Sequence, residues 1–596
     1  MPNIEDINGV SIANVNAFSG VTLSGNEVID GVTAPLKAPA AAYSVRLLDS
    51  SVGISSYTGP AMRIRRFTGV GNTGNDDEAD VRFDTGLATP TISLDSAISN
   101  TTSSASTLGE FLNVGTVSPY NGGLAFNDPD NLVNTAEAYV DTWYDQSGNA
   151  KHALQSTPGS QPQIHSGMVN TDLITENGKP NLLWSDDQLT FSSSLVSNPM
   201  AIFHVKDVPN NQYFLRDGTT AYVWPYLFGN QVRTAFGGAL NIDSITPSNV
   251  QSLLTFIKEG VTGVSSVHFL NGVDQSTPGY TDLDTEIGTF TSLGFYSGNA
   301  QEFIFYDSDQ SSNRTGIEEN INSEYLIYQP TDAPTSGLLA TYTGAAAAYS
   351  VRQLSDKAVI ALRIRRDSDD VETNIGWDSN GDLATADIAA FCGTANGYVT
   401  RWWDQSTNGN HATQSTGTSQ PQIYNGTAVI TENGKPTLDF DGTNDFLDSA
   451  LTVSTTDIAV TSVQKFDNVS GGQMSITISE GSNDQLYLLY NNGNSVYQLF
   501  YRGSFQSNVA ANTNQNLVSF FTDGSSSFYY ENGSTLGSAY TAGAISSNSA
   551  VRIGAWTGGS LHSSSQVQEL IIWQSDQSSN RTAIETDINT YFSIYP

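Results

Sequence analysis

Cysteine, basic residues and long apolar runs are all scarce in this chain of 596 residues. The single cysteine, Cys392, excludes an intrachain disulfide and a thiolate metal cluster. The 24 Lys and Arg residues are outnumbered by 60 Asp and Glu residues. The resulting net charge of −36 repels phosphate backbones and argues against nucleic-acid binding. No run of about 18 apolar residues exists, so we expect no membrane insertion.

Glycine, serine, threonine and asparagine are abundant instead, and 38% of the residues are hydrophobic, which is enough for a core. Apolar and polar residues alternate in AMRIRRF (61–67), QEFIFYD (301–307) and QELIIWQ (568–574), as they do in half-buried strands. Turn-forming clusters such as NNGN and TDGSSS separate such segments. The sequence therefore predicts an all-β protein built from paired, curved antiparallel sheets.

Four motifs occur twice in the same order, which indicates a tandem duplication. They are AAYSVR (41–46 and 347–352), RIRR (63–66 and 363–366), ITENGKP (174–180 and 430–436) and SDQSSNRT (308–315 and 575–582). The stretch YQPTDAPTSG between the copies carries two prolines and is typical of a linker. We therefore predict an N-terminal segment (1–37), a first domain (38–328), a linker (329–337) and a second domain (338–596).

The two copies differ in length. The RIRR motifs lie 300 positions apart, whereas the histidines His152 and His411 lie 259 positions apart. The first copy thus holds 41 more residues, 300 minus 259, between these points. We place them in one surface insertion within the Ser/Thr/Asn-rich region 95–134, because sheet scaffolds tolerate surface insertions well.

The first residues form a different repeat. INGV (7–10), FSGV (18–21) and IDGV (29–32) are spaced by eleven residues, and the repeat is typical of short strands with glycine turns. So short a segment cannot bury a core alone, so it is expected to pack on sister chains or on a particle; alternatively it is a tail folded onto the first domain. The start lacks a basic region followed by an apolar one, which argues against a secretory signal.

Each domain is predicted to end in a helix. Ile584, Ile588 and Phe592 recur at helical spacing, with Asn580 as the expected N-cap and acidic residues in the first turns. The first copy carries Ile317, Ile321 and Tyr325 at the equivalent positions.

The most conspicuous repeated block is DTWYDQSGNAKHALQSTPGSQPQI (141–164), which returns as TRWWDQSTNGNHATQSTGTSQPQI (400–423). In a functional interpretation, the aromatic pairs stack on a sugar ring while the aspartate and histidine bind its hydroxyls. In a structural interpretation, the aspartate orders the following turn, one aromatic packs in the core, and the histidine bonds to backbone or to that aspartate. We favour a fold signature that is used twice. Its residues are Trp143, Asp145, His152, Trp402, Asp404 and His411.

These blocks, with AAYSVR and RIRRDSDD, resemble the catalytic domain of family 54 α-L-arabinofuranosidases, a concanavalin-A-like sandwich. LDFDGTNDFLD (438–448) also resembles the strand-turn of laminin-G-like jelly rolls. The resemblance implies two tandem concanavalin-A-like jelly-roll sandwiches. The arabinofuranosidases have an acid/base aspartate in a Gly-Gly-Asp-Asn turn, a vicinal cysteine pair and a nucleophile segment, and this chain matches none of the three. We therefore expect no glycosidase activity.

Two further clusters have alternative interpretations. Asp439, Asp441, Asn444 and Asp445 form an oxygen-rich group that could bind calcium, but a turn of this kind more often caps a hairpin, so we expect no metal. The arginines of the two RIRR motifs could bind anions. In so acidic a chain we expect them to pair with the Asp-rich segments 76–80 and 367–370 instead.

The N-terminal repeat also resembles segments that begin many phage tail and capsid-fibre proteins. This resemblance implies a virion protein on the outside of a phage particle, joined to other virion proteins through its N-terminus and assembled as a homo-oligomer such as a trimer. Its sandwiches would bind host-surface glycans. The alternatives are a secreted arabinofuranosidase-type hydrolase and a bacterial adhesin. Tyrosine and tryptophan stack well on sugars, so we expect glycan contacts at Tyr222, Trp224, Tyr487, Tyr490, Tyr497 and Tyr501 unless these side chains fill the core.

Overall fold

The computed structural model divides into two compact units, Met1–Ile327 and Tyr328–Pro596. Outside six two-residue strands near the N-terminus, it describes residues 36–67, 77–87, 89–112, 136–167, 173–197, 199–207, 213–216, 223–228, 231–236, 239–243, 251–258, 267–275, 288–480, 483–494, 496–501, 504–522, 526–541 and 545–596.

Each eleven-residue N-terminal repeat contributes one pair of two-residue antiparallel strands. Ile7 pairs with Val10, Phe18 with Val21, and Ile29 with Val32. The strands are Asp6–Ile7, Val10–Ser11, Ala17–Phe18, Val21–Thr22, Val28–Ile29 and Val32–Thr33.

The second domain folds as two antiparallel sheets. One contains, in spatial order, Ala345–Ser350, Ser564–Trp573, Ala459–Phe466, Asn516–Thr522, Ser526–Glu531 and Ser534–Thr541. The other contains Glu372–Ile375, Leu362–Arg366, Asn396–Trp402, Ala412–Thr413, Leu447–Thr455, Ile545–Ile553, Ile476–Glu480, Asn483–Asn494, Val496–Tyr501 and Ser504–Ala510. Gln422–Asn425 and Leu438–Asp441 bridge the sheets, Ser470–Met474 flanks the second one, and Thr431–Glu432 pairs with Lys435–Pro436.

The first domain repeats this plan. Its first sheet contains Ala41–Ser44, Gly288–Tyr306, Met200–Asp207, Ser252–Lys258, Val267–Leu270 and Val273–Asp274. Its second contains Ile98–Ser99, Glu78–Val81, Met62–Phe67, Glu137–Trp143, Ala153–Leu154, Leu182–Ser197, the first half of Gly288–Tyr306, Tyr213–Arg216, Val223–Phe228, Gln231–Phe236 and Ala239–Asp243. Gln163–Ser166 joins this sheet, and Thr175–Glu176 pairs with Lys179–Pro180.

The core of the second domain lies between its sheets. Val460, Leu517 and Ile572 from one sheet and Val453 and Ile553 from the other are fully or almost fully buried in a single cluster. Strands supply such residues because alternate side chains point to one face. The predicted all-β, jelly-roll-like sandwich is therefore confirmed.

A helix closes each domain, as the apolar spacing predicts. The helices are Arg314–Tyr325 and Arg581–Phe592, and the predicted apolar faces are buried. Asn580 stands at the predicted N-cap position of the second helix, but its side chain makes no capping hydrogen bond. Asn580 is already helical (φ −95°, ψ −9°) because the chain enters through a 3-10 turn, and its side chain donates to Gln577 Oε1 at 2.8 Å. The first turn also carries no acidic residue.

Shorter helices were not predicted at all. They are Leu108–Leu112, Leu338–Thr341 and Thr385–Cys392. Leu108–Leu112 and Thr385–Cys392 are equivalent, since Arg66 donates to Phe111 O at 3.0 Å and Arg366 donates to Phe391 O at 2.7 Å.

This equivalence corrects the predicted single insertion at 95–134. From Arg66 to Phe111 the first copy spans 45 positions, against 25 from Arg366 to Phe391, which is 20 more. From Phe111 to His152 it spans 41 positions, against 20 in the second copy, which is 21 more. The 41 extra residues are thus divided between two places, and the helix between them belongs to the shared scaffold.

Candidate functional site

The repeated block places an aspartate at the centre of a buried turn. Asp404 is inaccessible to solvent, and its Oδ1 accepts hydrogen bonds from the backbone N–H groups of Ala348 (2.8 Å) and Ser406 (2.9 Å). Its Oδ2 accepts from Ser406 Oγ (2.8 Å) and from the Asn410 N–H (2.9 Å). All the acceptor positions of this carboxylate are engaged inside the fold, which leaves none for a sugar hydroxyl.

The first domain repeats this arrangement. Asp145 accepts from the N–H groups of Ala42, Ser147 and Lys151 and from Ser147 Oγ, each at 2.9 Å. The following residue, Gln146, also closes on backbone, since its amide bonds to Ser44 O and Leu48 N. The aspartate and glutamine of the block therefore tie the turn to the first strand of each domain.

The aromatic pair of the second domain lies with one ring in the core and one beside the histidine. Trp402 is fully buried and donates to Ser350 O at 3.2 Å. Trp403, 7% exposed, meets the ring of His411 at a centroid distance of 4.4 Å. His411 Nδ1 accepts from the Asp404 N–H at 3.1 Å, so the neutral imidazole is the form that fits.

Acid should therefore destabilise the second domain through His411. Burial, assisted by the positive charge of Arg401, lowers the pKa of His411 from 6.5 to about 4. The unfolded chain then takes up this proton first, so stability is retained above pH 6.5 and lost as the pH falls from about 6.5 to about 4. We expect a loss of about 2 kcal/mol from this residue. Urea unfolding of the parent and of His411→Gln at pH 7.5 and 4.5 measures it.

The variant should lose less stability than the parent between these pH values, because the carboxylates contribute equally to both. Equal losses would contradict the assignment of the proton to His411.

Two glutamates, one from an inner strand of the first sheet of each domain, are buried with arginines. Glu302 accepts from Arg46 Nε at 2.8 Å, and Glu569 accepts from Arg352 Nε at 2.8 Å; neither carboxylate is exposed. Each pair is completed by a serine hydroxyl, from Ser44 at 2.6 Å or from Ser350 at 2.7 Å. These glutamates are held as partners of arginines and do not face an open pocket.

The RIRR arginines bond mostly to acidic side chains in or beside the expected segments. Arg66 pairs with Asp77, Arg365 with Asp370 and Arg366 with Asp369. The other pairs are Arg63 with Glu78 and Asp80, and Arg363 with Glu372. Arg65 Nε also donates to Gln161 Oε1 at 2.8 Å.

The calcium candidates form a turn between Leu438–Asp441 and Leu447–Thr455, which pair with other strands, so the turn does not cap a hairpin as expected. Asp441 Oδ1 accepts from the N–H groups of Thr443 (2.7 Å) and Asn444 (3.2 Å), and Asp445 Oδ2 accepts from the Asp441 N–H (3.0 Å). Burial, together with the charges of Asp441 and Asp439, raises the pKa of Asp445 to about 7. In the part of the chain that the structure describes, no group of three or more His, Cys, Asp or Glu residues is arranged to hold a metal ion.

The predicted sugar-stacking tyrosines are partly corrected. Tyr497 and Tyr501 are each only 1% exposed. The Tyr497 hydroxyl donates to Asn512 O at 2.9 Å, and the Tyr501 ring packs 4.8 Å from Phe520. Both fill the core, because alternation in a half-buried strand places large aromatics inside as readily as outside. Tyr222 and the side chains of Trp224, Tyr487 and Tyr490 lie outside the described residues.

The turn that should hold the acid/base aspartate differs between the domains. In the second domain, residues 554–563 separate the strands Ile545–Ile553 and Ser564–Trp573 and include neither Asp nor Glu. In the first domain one strand, Gly288–Tyr306, runs through the equivalent position.

Sequence reasoning missed Arg401. It stands two residues before Trp403, and its guanidinium carbon lies 4.8 Å from the centroid of that ring. The first copy has Thr142 at this position. A charged residue that appears in only one copy of a duplicated block is the signal that could have found it.

The chain resembles known carbohydrate-active proteins over part of its length. The catalytic-domain model of alpha-L-arabinofuranosidase B matches residues 326–442, about a fifth of the chain. This match makes the start of the second domain glycoside-hydrolase-like. A search of curated proteins found no match.

Solved structures with similar folds include a family 54 α-L-arabinofuranosidase soaked with a cyclic sulfate inhibitor. It is 15% identical, with a TM-score of 0.34 and coverage of 41% of this chain and 62% of that one. An arabinofuranosidase complexed with arabinofuranosyl-α-1,2-xylobiose is 15% identical, with a TM-score of 0.32 and coverage of 41% of this chain and 62% of that one. A Trypanosoma rangeli sialidase in complex with sialic acid is 10% identical, with a TM-score of 0.27 and coverage of 87% of this chain and 80% of that one. The chain thus spans less than two thirds of these arabinofuranosidases.

No helix of the described residues is long and apolar enough to cross a membrane.

Proposed function

We propose that this protein is a non-catalytic, glycan-binding appendage protein on the exterior of a phage particle. One observation carries the non-catalytic part: the aspartate of the repeated block makes the same four internal hydrogen bonds in both domains. A carboxylate whose lone pairs are all engaged by buried donors is a poor nucleophile and a poor proton donor. The sandwich then serves as a rigid scaffold whose outer surface is available for binding.

A retaining glycosidase needs two carboxyl groups about 5–5.5 Å apart, one as nucleophile and one as acid/base. The turn at 554–563 supplies neither, and the Glu302 and Glu569 carboxylates are held by arginines. The alternative function is a secreted arabinofuranosidase-type hydrolase. The family match over residues 326–442 is the observation that favours it.

A hydrolysis assay decides between these functions. We expect no turnover of an aryl α-L-arabinofuranoside, and no release of arabinose from arabinoxylan, by the full chain at micromolar concentration. The control is a variant with Asp445→Asn, because Asp445 is the carboxyl group of this region whose pKa lies near neutrality. Turnover by the parent that this change abolishes would establish the hydrolase instead.

The N-terminal strand pairs are proposed to attach the protein to the particle or to sister chains. Three successive pairs of two residues per strand are too short to be stable alone, since isolated two-stranded hairpins are marginal in water. Partner surfaces would have to supply the missing burial. The eleven-residue period lets equivalent apolar positions, such as Ile7, Phe18 and Ile29, meet equivalent sites on other chains.

Removing residues 1–35 should therefore abolish oligomerisation while both sandwiches keep their melting transitions. Light scattering gives the mass, and calorimetry gives the melting temperatures. Replacing Phe18 with Asp within the intact chain is the matched point variant. A truncated chain that assembles like the parent would show that the segment is a tail.

A further inference from the structure

A row of polar side chains crosses the second sheet of the second domain. Directly paired residues on neighbouring antiparallel strands point to the same face of a sheet. Following the register from strand to strand therefore gives a continuous line of side chains on one face. The row consists of Asn374, Arg363, Arg401, Thr413, Asp448 and Arg552.

Arg401 lies in the middle of this row and carries its uncompensated charge. Arg363 pairs with Glu372, and Arg552 binds Asp448 through two bonds of 2.7 and 2.9 Å. None of the ion pairs among the described residues involves Arg401. With three arginines and two acidic side chains, this group of five residues has a net charge of +1 in a chain whose total is −36.

The surroundings of Arg401 restrict its side chain and make its charged form energetically unfavourable. The guanidinium lies over Trp403, which is itself packed against His411. A side chain supported on an aromatic face loses little further freedom on binding a ligand. Burial and the adjacent Arg363 lower the pKa of Arg401, and the charge of Glu372 offsets this only in part, so the charge of Arg401 lacks full local compensation. An anion bound here would supply that compensation.

The first domain provides an internal comparison. Its equivalent row reads Asp80, Arg63, Thr142, Leu154, Thr190 and Ser292. Arg63 is bound by both Glu78 (2.8 Å) and Asp80 (2.9 Å), so this group has a net charge of −1. The same position of the same scaffold thus changes by two charges between the copies, through Asn374 in place of Asp80 and Arg401 in place of Thr142.

The negative charge of the whole chain does not prevent local anion binding. At physiological ionic strength the Debye length is about 8 Å, so distant carboxylates are screened while groups within the row act at full strength. The planar fork of arginine matches a carboxylate, and the neighbouring Thr413 is exposed and able to bond to a hydroxyl. A carboxylate and a hydroxyl on one ring are features of acidic sugars.

We propose that this face of the second domain binds an acidic sugar through its carboxylate, with Arg401 as the residue that recognises it. The first domain does not share this specificity. The inference rests on the proposed glycan-binding function and adds to it the class of ligand and the domain that binds it.

Calorimetric titration of the full chain with a tetrasaccharide of alternating glucuronate and N-acetylglucosamine tests the proposal. The neutral counterpart is the same tetrasaccharide with its carboxyl groups reduced to alcohols. We expect binding of the acidic form only, weakened roughly 10- to 100-fold by Arg401→Thr, because a hydrogen bond to a charged group is lost. Arg401→Lys should restore part of the affinity. Arg82→Thr, which removes an exposed arginine of the first domain, is the charge-matched control and should bind like the parent.

Each other result has a distinct meaning. Equal binding of acidic and reduced forms, or acidic binding that Arg401→Thr leaves unchanged, overturns the acidic-sugar site but leaves glycan binding standing. If neither form binds, this site is also overturned. If the protein then binds no glycan on a broad array, the proposed glycan-binding function fails with it. Conversely, Asp80→Asn with Thr142→Arg in the first domain should create a second site and raise the stoichiometry from one to two.

Discussion

Replacing Arg352 with Met should destabilise the second domain by about 3–5 kcal/mol, the cost that follows when one partner of a buried ion pair is removed. Glu569 would remain at zero exposure with only the Ser350 hydroxyl as a polar partner, whereas it now receives Arg352 Nε at 2.8 Å and Nη2 at 3.2 Å. Desolvating an unpaired carboxylate is costly, so the domain must open to water or bind a proton. Chemical denaturation at pH 7 measures the change.

A double variant separates the contribution of the ion pair from the cost of leaving one charge buried without a partner. Arg352→Met combined with Glu569→Leu should recover at least about 2 kcal/mol of the loss, because no buried charge then remains. Arg46→Met in the first domain is the matched control, since it breaks the equivalent pair with Glu302 and identifies which unfolding transition belongs to which domain. A cost below about 1 kcal/mol for Arg352→Met would mean that water reaches Glu569.

The second large effect is expected at Asp404. Changing it to Ala removes four hydrogen bonds at once and leaves the N–H groups of Ala348, Ser406 and Asn410 without their acceptor. We expect a loss of about 4 kcal/mol or more, since each unsatisfied buried donor costs about 1–3 kcal/mol and the turn relaxes only in part. Thermal unfolding of the second domain measures it.

Asp404→Asn distinguishes this structural role from a catalytic or ligand-binding one. The amide group places a donor where Ser406 Oγ and the Asn410 N–H already donate, so stability should still fall by about 2 kcal/mol. Asp145→Asn should cost the first domain a similar amount, because its bonds are equivalent. Selective loss of glycan binding with unchanged melting would reassign Asp404 to a binding site.

Much of the fold could be predicted because the duplication supplies two independent copies of each signal. The helix faces at Ile584, Ile588 and Phe592 follow from spacing alone, and these side chains are buried as predicted. The sandwich follows from alternation and turns. The N-cap position of Asn580 also follows from the sequence, but residue preference does not reveal that a 3-10 turn precedes the helix and that the Asn580 side chain makes no capping bond.

The site was harder to predict, since it depends on contacts between strands that are distant in sequence. Tyr497 and Arg401 both stand in alternating strands, and sequence alone cannot decide which alternate positions face the core. The cross-strand register does decide: it aligns Arg363, Arg401 and Asp448, residues that span 85 positions of the chain. The single-insertion prediction failed for the same reason, because only the contacts of Arg66 and Arg366 identify Leu108–Leu112 with Thr385–Cys392.

The long strand Gly288–Tyr306 has a mechanical consequence for the first domain. Its residues 288–300 lie beside Leu182–Ser197 in one sheet, and its last residues, 299–306, lie in the other sheet with Ala41–Ser44 and Met200–Asp207 as neighbours. A tension applied at the N-terminal end of this domain therefore passes into both sheets through one unbroken backbone, and they must shear together. The second domain has the loop 554–563 at this point, and there the Ser563 N–H donates to Gly554 O at 2.8 Å, so a hydrogen-bonded loop connects its two sheets where the first domain has one continuous strand. Movements of one sheet relative to the other are therefore coupled more directly in the first domain than in the second.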